Sequence, residues 1–116
     1  MSALSYDGRR FRAVETAANG EVGRETVFHY RQTGDVVWAT YAGGGVHMGT
    51  LVATVDDAGG LDMRYAHVNA AGALMTGTRH STPERLADGR LRLHERWQWT
   101  SGDLSAGTSV VEEVAD

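Results

Sequence analysis

Apolar and polar side chains alternate along most of this chain with a period of two. Across residues 90–99, Leu91, Leu93, Trp97 and Trp99 fall on one face and Arg90, Arg92, His94, Arg96 and Gln98 on the other. A helix would spread these positions around its circumference, whereas a strand sends successive side chains to opposite faces. The pattern therefore predicts a half-buried strand. Residues 61–67 alternate in the same way. Residues 26–31 and 36–41 flank Gly34-Asp35, a step that suits a tight hairpin turn. Residues 46–55 and 74–81 supply two more strands, residues 10–16 open the series and residues 108–114 end it. The single helical candidate is one turn at residues 82–86, where Thr82 would cap and Pro83 would take the first helical position.

Glycine marks the spaces between these runs. Fifteen glycines stand in 116 residues, with one proline. Asn19-Gly20, Gly34-Asp35, Gly43-Gly44-Gly45, Gly59-Gly60, Gly72, Asp88-Gly89 and Gly102-Asp103 recur as turn signals between strands. About eight consecutive antiparallel strands would expose unpaired edges unless the sheet closes on itself. Closure gives an all-β, antiparallel up-and-down barrel, whose interior holds packed side chains or one small ligand. Residues 1–116 read as one such domain, a length that needs no disulfide or metal to hold a core.

Five stretches carry a resemblance. They are residues 11–15 with Asn19-Gly20-Glu21-Val22, then residues 26–32, 37–41, 63–69 and 93–99. In them the chain resembles a family of small uncharacterised bacterial proteins, many of which carry the label N-acetylglutamate synthase. The resemblance implies a calycin-like barrel, similar in plan to lipocalins or avidin, and transfers no catalytic residue. The label itself fails a physical test. An acetyl-CoA pyrophosphate cradle needs a helix N-terminus directly behind a glycine-rich turn. Here Gly43-Gly44-Gly45 runs into Val46-His47-Met48-Gly49-Thr50-Leu51-Val52, which reads as strand.

Composition then narrows the chemistry. Eleven basic against 15 acidic residues give a formal charge of −4, which argues against a nucleic-acid or anionic-membrane surface. Cysteine is absent, so thiolate nucleophiles, disulfides and cysteine-ligated zinc are excluded. Lysine is absent too, which removes Schiff-base chemistry and a P-loop lysine. No basic head followed by an apolar stretch marks a signal peptide, and no run approaches the roughly 18 apolar residues that span a bilayer. A cytoplasmic location is the expectation.

The five histidines, His29, His47, His67, His80 and His94, lack metal-ligand spacing, so neither metal nor cofactor is expected. Nor does a Gly-x-Ser-x-Gly elbow occur. Glu95 interrupts the apolar face between Leu93 and Trp97. A carboxylate there is either the partner of an inward arginine or tyrosine, or a ligand-binding or acid–base group. Leu61, Met63, Tyr65, His67 and Asn69 pass from apolar to polar along one face, as a barrel with a packed floor and a polar mouth requires. Residues 74–81 admit two registers. In one, His80 points inward with His67; in the other, Arg79 points inward and pairs with Glu95. Tyr30 and Trp38 are expected to line the earlier half of the barrel. The arginine face from Arg90 to Arg96 reads as cross-strand ion pairing with Glu112 and Glu113.

Three functions fit this reading. The first is a binding barrel whose interior ligand is held by Tyr30, Trp38, Tyr65, His67, Asn69, His80, Glu95, Trp97 and Trp99. The second is a small isomerase or cyclase on the same cavity, with Glu95 or His67 as general acid or base. The third is a filled barrel that acts as an interaction module or homodimer through an outer apolar patch, either Val37, Ala39 and Tyr41 or Leu51, Ala53 and Val55.

Overall fold

The structure is a computed structural model that describes residues 4–17 and 19–115. The outer ends of the expected domain, residues 1–3 and 116, lie outside the described residues, as does Ala18. Eight strands follow in chain order: β1 (Arg10–Glu15), β2 (Val27–Thr33), β3 (Val36–Gly43), β4 (Val46–Val55), β5 (Leu61–Asn69), β6 (Leu74–Arg85), β7 (Leu91–Trp99) and β8 (Ala106–Glu113). Each pairs antiparallel with its successor, and β1 pairs with β8 to close the barrel. No helix of the described residues is long and apolar enough to cross a membrane.

Alternation drives the packing. Phe11, Phe28, Tyr30, Leu61, Met63, Leu91 and Leu93 point inward and are at most 1 % exposed. Truncating one such leucine to alanine costs about 2–5 kcal/mol, because the cavity left behind cannot collapse fully. Outward positions carry the charges. Arg92 reaches Glu112 at 3.1 Å, Arg90 reaches Glu112 at 3.5 Å and Arg9 reaches Glu113 at 2.7 Å. Such half-exposed pairs add little stability each.

Three expectations are corrected. Residues 82–86 form no helical turn, since β6 runs as strand through Arg85. The β5 ladder ends at Leu61–Ser81 while β7 continues alongside to Arg85. Pro83 thus sits where the strand has a neighbour on one side only, a position that tolerates a missing N–H. The two apolar patches expected outside, Val37, Ala39 and Tyr41 and Leu51, Ala53 and Val55, all face the core and are at most 8 % exposed. Their neighbours are the outward ones: Val36, Trp38 and Val52 are 40–54 % exposed. Both faces of β3 and β4 carry apolar residues, so parity by itself does not say which face is inner.

The barrel has two unlike ends. At one, Tyr6 is fully buried against Phe11 and Tyr30, with ring centroids 6.5 and 5.9 Å away, and its hydroxyl donates to the Gly59 carbonyl. At the other, residues 16–17 and 19–26 between β1 and β2 fold across the opening. Gly43 and Gly45 allow this close approach. A Cβ on Gly43 would strike the Glu25 carbonyl, and one on Gly45 would stand 2.6 Å from the Glu21 carbonyl oxygen. β1 is the most lightly held strand: it meets β2 through Arg10, Phe11 and Arg12 alone, and its register with β8 shifts between Ala13 and Glu15.

Candidate functional site

Two polar clusters interrupt the apolar interior. The deeper one joins β6 to β7, where Ser81 lies opposite Glu95 in the ladder and Arg79 lies two residues before it. Arg79 Nη1 donates to Glu95 Oε1 at 3.3 Å, and Ser81 Oγ donates to Glu95 Oε2 at 2.5 Å. The side chains of Arg79 and Glu95 are 5 % and 0 % exposed. The guanidinium also lies over the Tyr65 ring, 4.7 Å from its centroid, and 5.8 Å from that of Phe28. Burial works against the charge on Arg79, but Glu95 and the surrounding tyrosines outweigh it, so its pKa stands above the ordinary value.

The second cluster lies at the strapped end. Glu21, carried by the β1–β2 loop, places Oε1 2.7 Å from His67 Nε2 and Oε2 2.7 Å from Asn69 Nδ2. A carboxylate only accepts, so with one at Glu21 the His67 hydrogen sits on Nε2. In the neutral ring Nδ1 then accepts from the Tyr41 hydroxyl at 2.9 Å. Asn69 Oδ1 accepts from the Ala71 and Ala73 amides at 3.1 and 2.9 Å, which fixes the side-chain amide with its nitrogen toward Glu21. Gly49 leaves room for this group, since a Cβ there would collide with the Tyr41 ring and stand 2.7 Å from His67 Cβ.

Between the clusters stand Tyr65, Trp97 and Trp99. Tyr65 stacks near His67, with centroids 6.3 Å apart and planes 15° apart, and Trp99 meets both rings edge-on. The loop caps this aromatic wall. Trp99 Nε1 donates to the Asn19 carbonyl at 3.2 Å, and Asn19 Nδ2 donates to Ser105 Oγ and the Ala106 carbonyl. Beneath Ala17, Gly20 and Val22 a void of about 10 Å³ remains against Tyr65, Arg79, Trp97 and Trp99. That is on the order of the space one water needs. Of the residues that line it, Tyr65 and Arg79 each bury one polar atom, Oη and Nε, that makes no well-formed hydrogen bond.

Burial raises the phenol pKa of Tyr6, Tyr30, Tyr41 and Tyr65 alike. Glu95 adds to the shift at each, while Arg79 opposes it at Tyr30, Tyr41 and Tyr65. Among the described residues, no group of three or more His, Asp or Glu side chains is arranged to hold a metal ion.

A closed barrel of eight consecutive antiparallel strands, with an aromatic polar interior strapped at one end, invites comparison with known families. The model of the avidin-like protein family matches residues 4–114, nearly the whole chain. The chain belongs to the avidin-like family. No curated protein sequence matches it.

The avidin-like barrel brings together five of the residues picked from sequence: Tyr65, His67 and Asn69 on β5 with Trp97 and Trp99 on β7. Glu95 also points inward, but its two oxygens are held by Arg79 and Ser81. Tyr30 points inward toward the closed end, among Tyr6, Phe11 and Phe28. Two placements are corrected. Trp38 faces outward at 40 % exposure, in register with Val52 and away from the interior. His80 faces outward as well, because β6 takes the register that turns Gly77, Arg79 and Ser81 inward. That register gives Glu95 its cation, and Gly77 clears space for the Tyr65 hydroxyl, which a Cβ would strike. Sequence reasoning missed Glu21, Tyr6 and Tyr41 as interior polar groups. Glu21 and Tyr6 lie outside any strand, where alternation carries no signal.

Proposed function

We propose that this avidin-like barrel binds one small organic molecule at its strapped end, between Tyr65, Arg79, Trp97 and Trp99 and beneath the β1–β2 loop. The observation that carries this reading is a pair of buried polar atoms that make no well-formed hydrogen bond, Tyr65 Oη and Arg79 Nε, on two residues that line one void. An unmade hydrogen bond of this kind costs about 1–3 kcal/mol, so proteins rarely leave two together. A ligand acceptor such as a carbonyl, ether or hydroxyl oxygen would satisfy both. Entry needs the loop to lift, since the present void holds no organic molecule. Loop movement would also release Trp99 Nε1 from Asn19, adding a third donor to the site.

An isomerase or cyclase on this cavity draws less support. Glu95, its acid–base candidate, has each oxygen engaged by a neighbour, and His67 is engaged on both ring nitrogens. The filled-barrel reading rests on a different observation, the outward row Trp38–Val52–Arg64–Thr78 flanked by Val36, Met48 and Leu74. Exposed apolar surface of this kind fits an interface with a second copy.

Native mass spectrometry of the purified chain separates these readings. The binding barrel predicts a reproducible non-covalent added mass in the wild type that is lost in Tyr65→Phe, whose fold keeps the ring. A bare mass in a monomer, unchanged by incubation with a cell extract, overturns it. A bare dimer that dissociates in Trp38→Ser supports the outer face instead.

A further inference from the structure

The chemistry of the ligand can be read from what now closes the site. Glu21 comes from the loop, yet both groups that receive it, His67 Nε2 and Asn69 Nδ2, belong to the wall of β5, two residues apart on its inner face. Each takes a different oxygen of the carboxylate at 2.7 Å. Neither side chain depends on the loop for its position, and any carboxylate facing Nε2, from Glu21 or from a ligand, sets the His67 hydrogen there. His67 is held by Tyr41 through Nδ1 and packed at 5.6 Å from the Tyr41 and Trp99 ring centroids. The Asn69 amide is set by the Ala71 and Ala73 amides. The wall therefore holds two nitrogens in place to grip a carboxylate, and lifting the loop would leave both without that partner. Planar rings continue from it: Tyr65, Trp97 and Trp99, then Arg79 Nε and Tyr65 Oη beyond.

We infer that the site takes an aromatic carboxylate, and that Glu21 is an internal carboxylate occupying the ligand's place on His67 and Asn69. This rests on the binding-barrel reading above and adds to it the class of ligand. The carboxylate of the incoming molecule displaces Glu21, its ring takes the space over Trp97 and Trp99 vacated by Gly20, and the loop swings off the mouth. A competing side chain lowers apparent affinity by the fraction of time it is seated, so a loop closed about 90–99 % of the time weakens binding about ten- to a hundredfold.

The test is calorimetric and ligand-observed NMR titration of wild type, Glu21→Ala and Glu21→Gln with benzoate and with benzamide, its neutral isostere. Benzoate is expected to bind Glu21→Ala at least tenfold more tightly than wild type, with Glu21→Gln between them and benzamide at least tenfold weaker than benzoate. Adding Asn69→Asp to Glu21→Ala keeps the oxygen that accepts from Ala71 and Ala73 but replaces the donor with a negative charge, and benzoate binding is expected to vanish. Benzamide binding as well as benzoate would overturn the carboxylate assignment and leave the barrel reading standing. So would benzoate binding wild type and both Glu21 variants equally. No binding of either probe to a folded Glu21 variant also overturns the assignment, whereas the barrel reading itself falls only on the native-mass result. Should Glu21→Ala fail to fold, the isosteric Glu21→Gln carries the comparison.

Discussion

All four tyrosines of this chain are buried in the barrel, at 0–4 % exposure, and burial raises the pKa of each above its ordinary value of 10.0. The folded state therefore keeps four protons that the unfolded chain begins to release near pH 10. Above that point the native state binds more protons than the unfolded state, so stability falls as pH rises and is complete below it. Each retained proton costs about 1.4 kcal/mol per pH unit until its folded-state pKa is reached, so the four together cost at most about 5 kcal/mol per unit. A domain stable by only about 5–15 kcal/mol is then unfolded in strong alkali. The assay is phenolate absorbance in the near ultraviolet, followed alongside circular dichroism during an alkaline titration. The expected result is a silent phenolate signal through pH 10, then one cooperative rise of all four together with loss of the fold. Gradual appearance of phenolate near pH 10 with the barrel intact would refute the placement of these hydroxyls.

Three further outcomes follow from the interior and its outer face. Arg79→Met and Glu95→Gln are each expected to cost about 3–5 kcal/mol in urea unfolding, because the partner is left buried and unpaired; a double variant with both replaced by apolar residues should recover much of that loss. Gly107→Ala would put a Cβ 2.5 Å from the Trp97 ring, so the wall must shift, and a loss of about 1–3 kcal/mol is expected with altered Trp fluorescence. Val52→Thr, on the outward row, should change thermal stability by less than about 0.5 kcal/mol in a monomer, and a larger, concentration-dependent drop would point to an interface there.

Alternation made the barrel legible, because a two-residue period leaves few alternatives to half-buried strands and consecutive strands leave few alternatives to closure. It was also enough for the β5 face from Leu61 to Asn69, whose polar end lies at the mouth. Where both faces of a strand are similar in polarity, the same rule loses its grip. An amphipathic ring that both packs and donates suggests an inward Trp38, yet Val37, Ala39 and Tyr41 take the interior: Ala39 lies opposite Tyr30 and Tyr41 opposite Phe28, and residues paired across a ladder share a face. His80 and Arg79 were equally placed by pattern. The tie is broken by a contact across the ladder, the charge of Glu95, which no single strand records. Glu21 and Tyr6 were invisible for another reason: a plug acts through the place its segment reaches, and a loop has no period to mark its inward residues.

The light hold on β1 bears on how the molecule assembles and how it breathes. From β2 to β8 every ladder joins sequence neighbours, so those staves can form as successive hairpins with little loop entropy to overcome. The β1–β8 ladder is the exception, since it must unite segments from opposite ends of the polypeptide, and pairings of that separation form slowly. β1 is thus the last stave to be fitted and the first whose amides should exchange with solvent under native conditions. The strap over the mouth is the direct continuation of this stave. Parting the seam and baring the interior are consequently one event, in which the barrel opens along its side as its lid comes away.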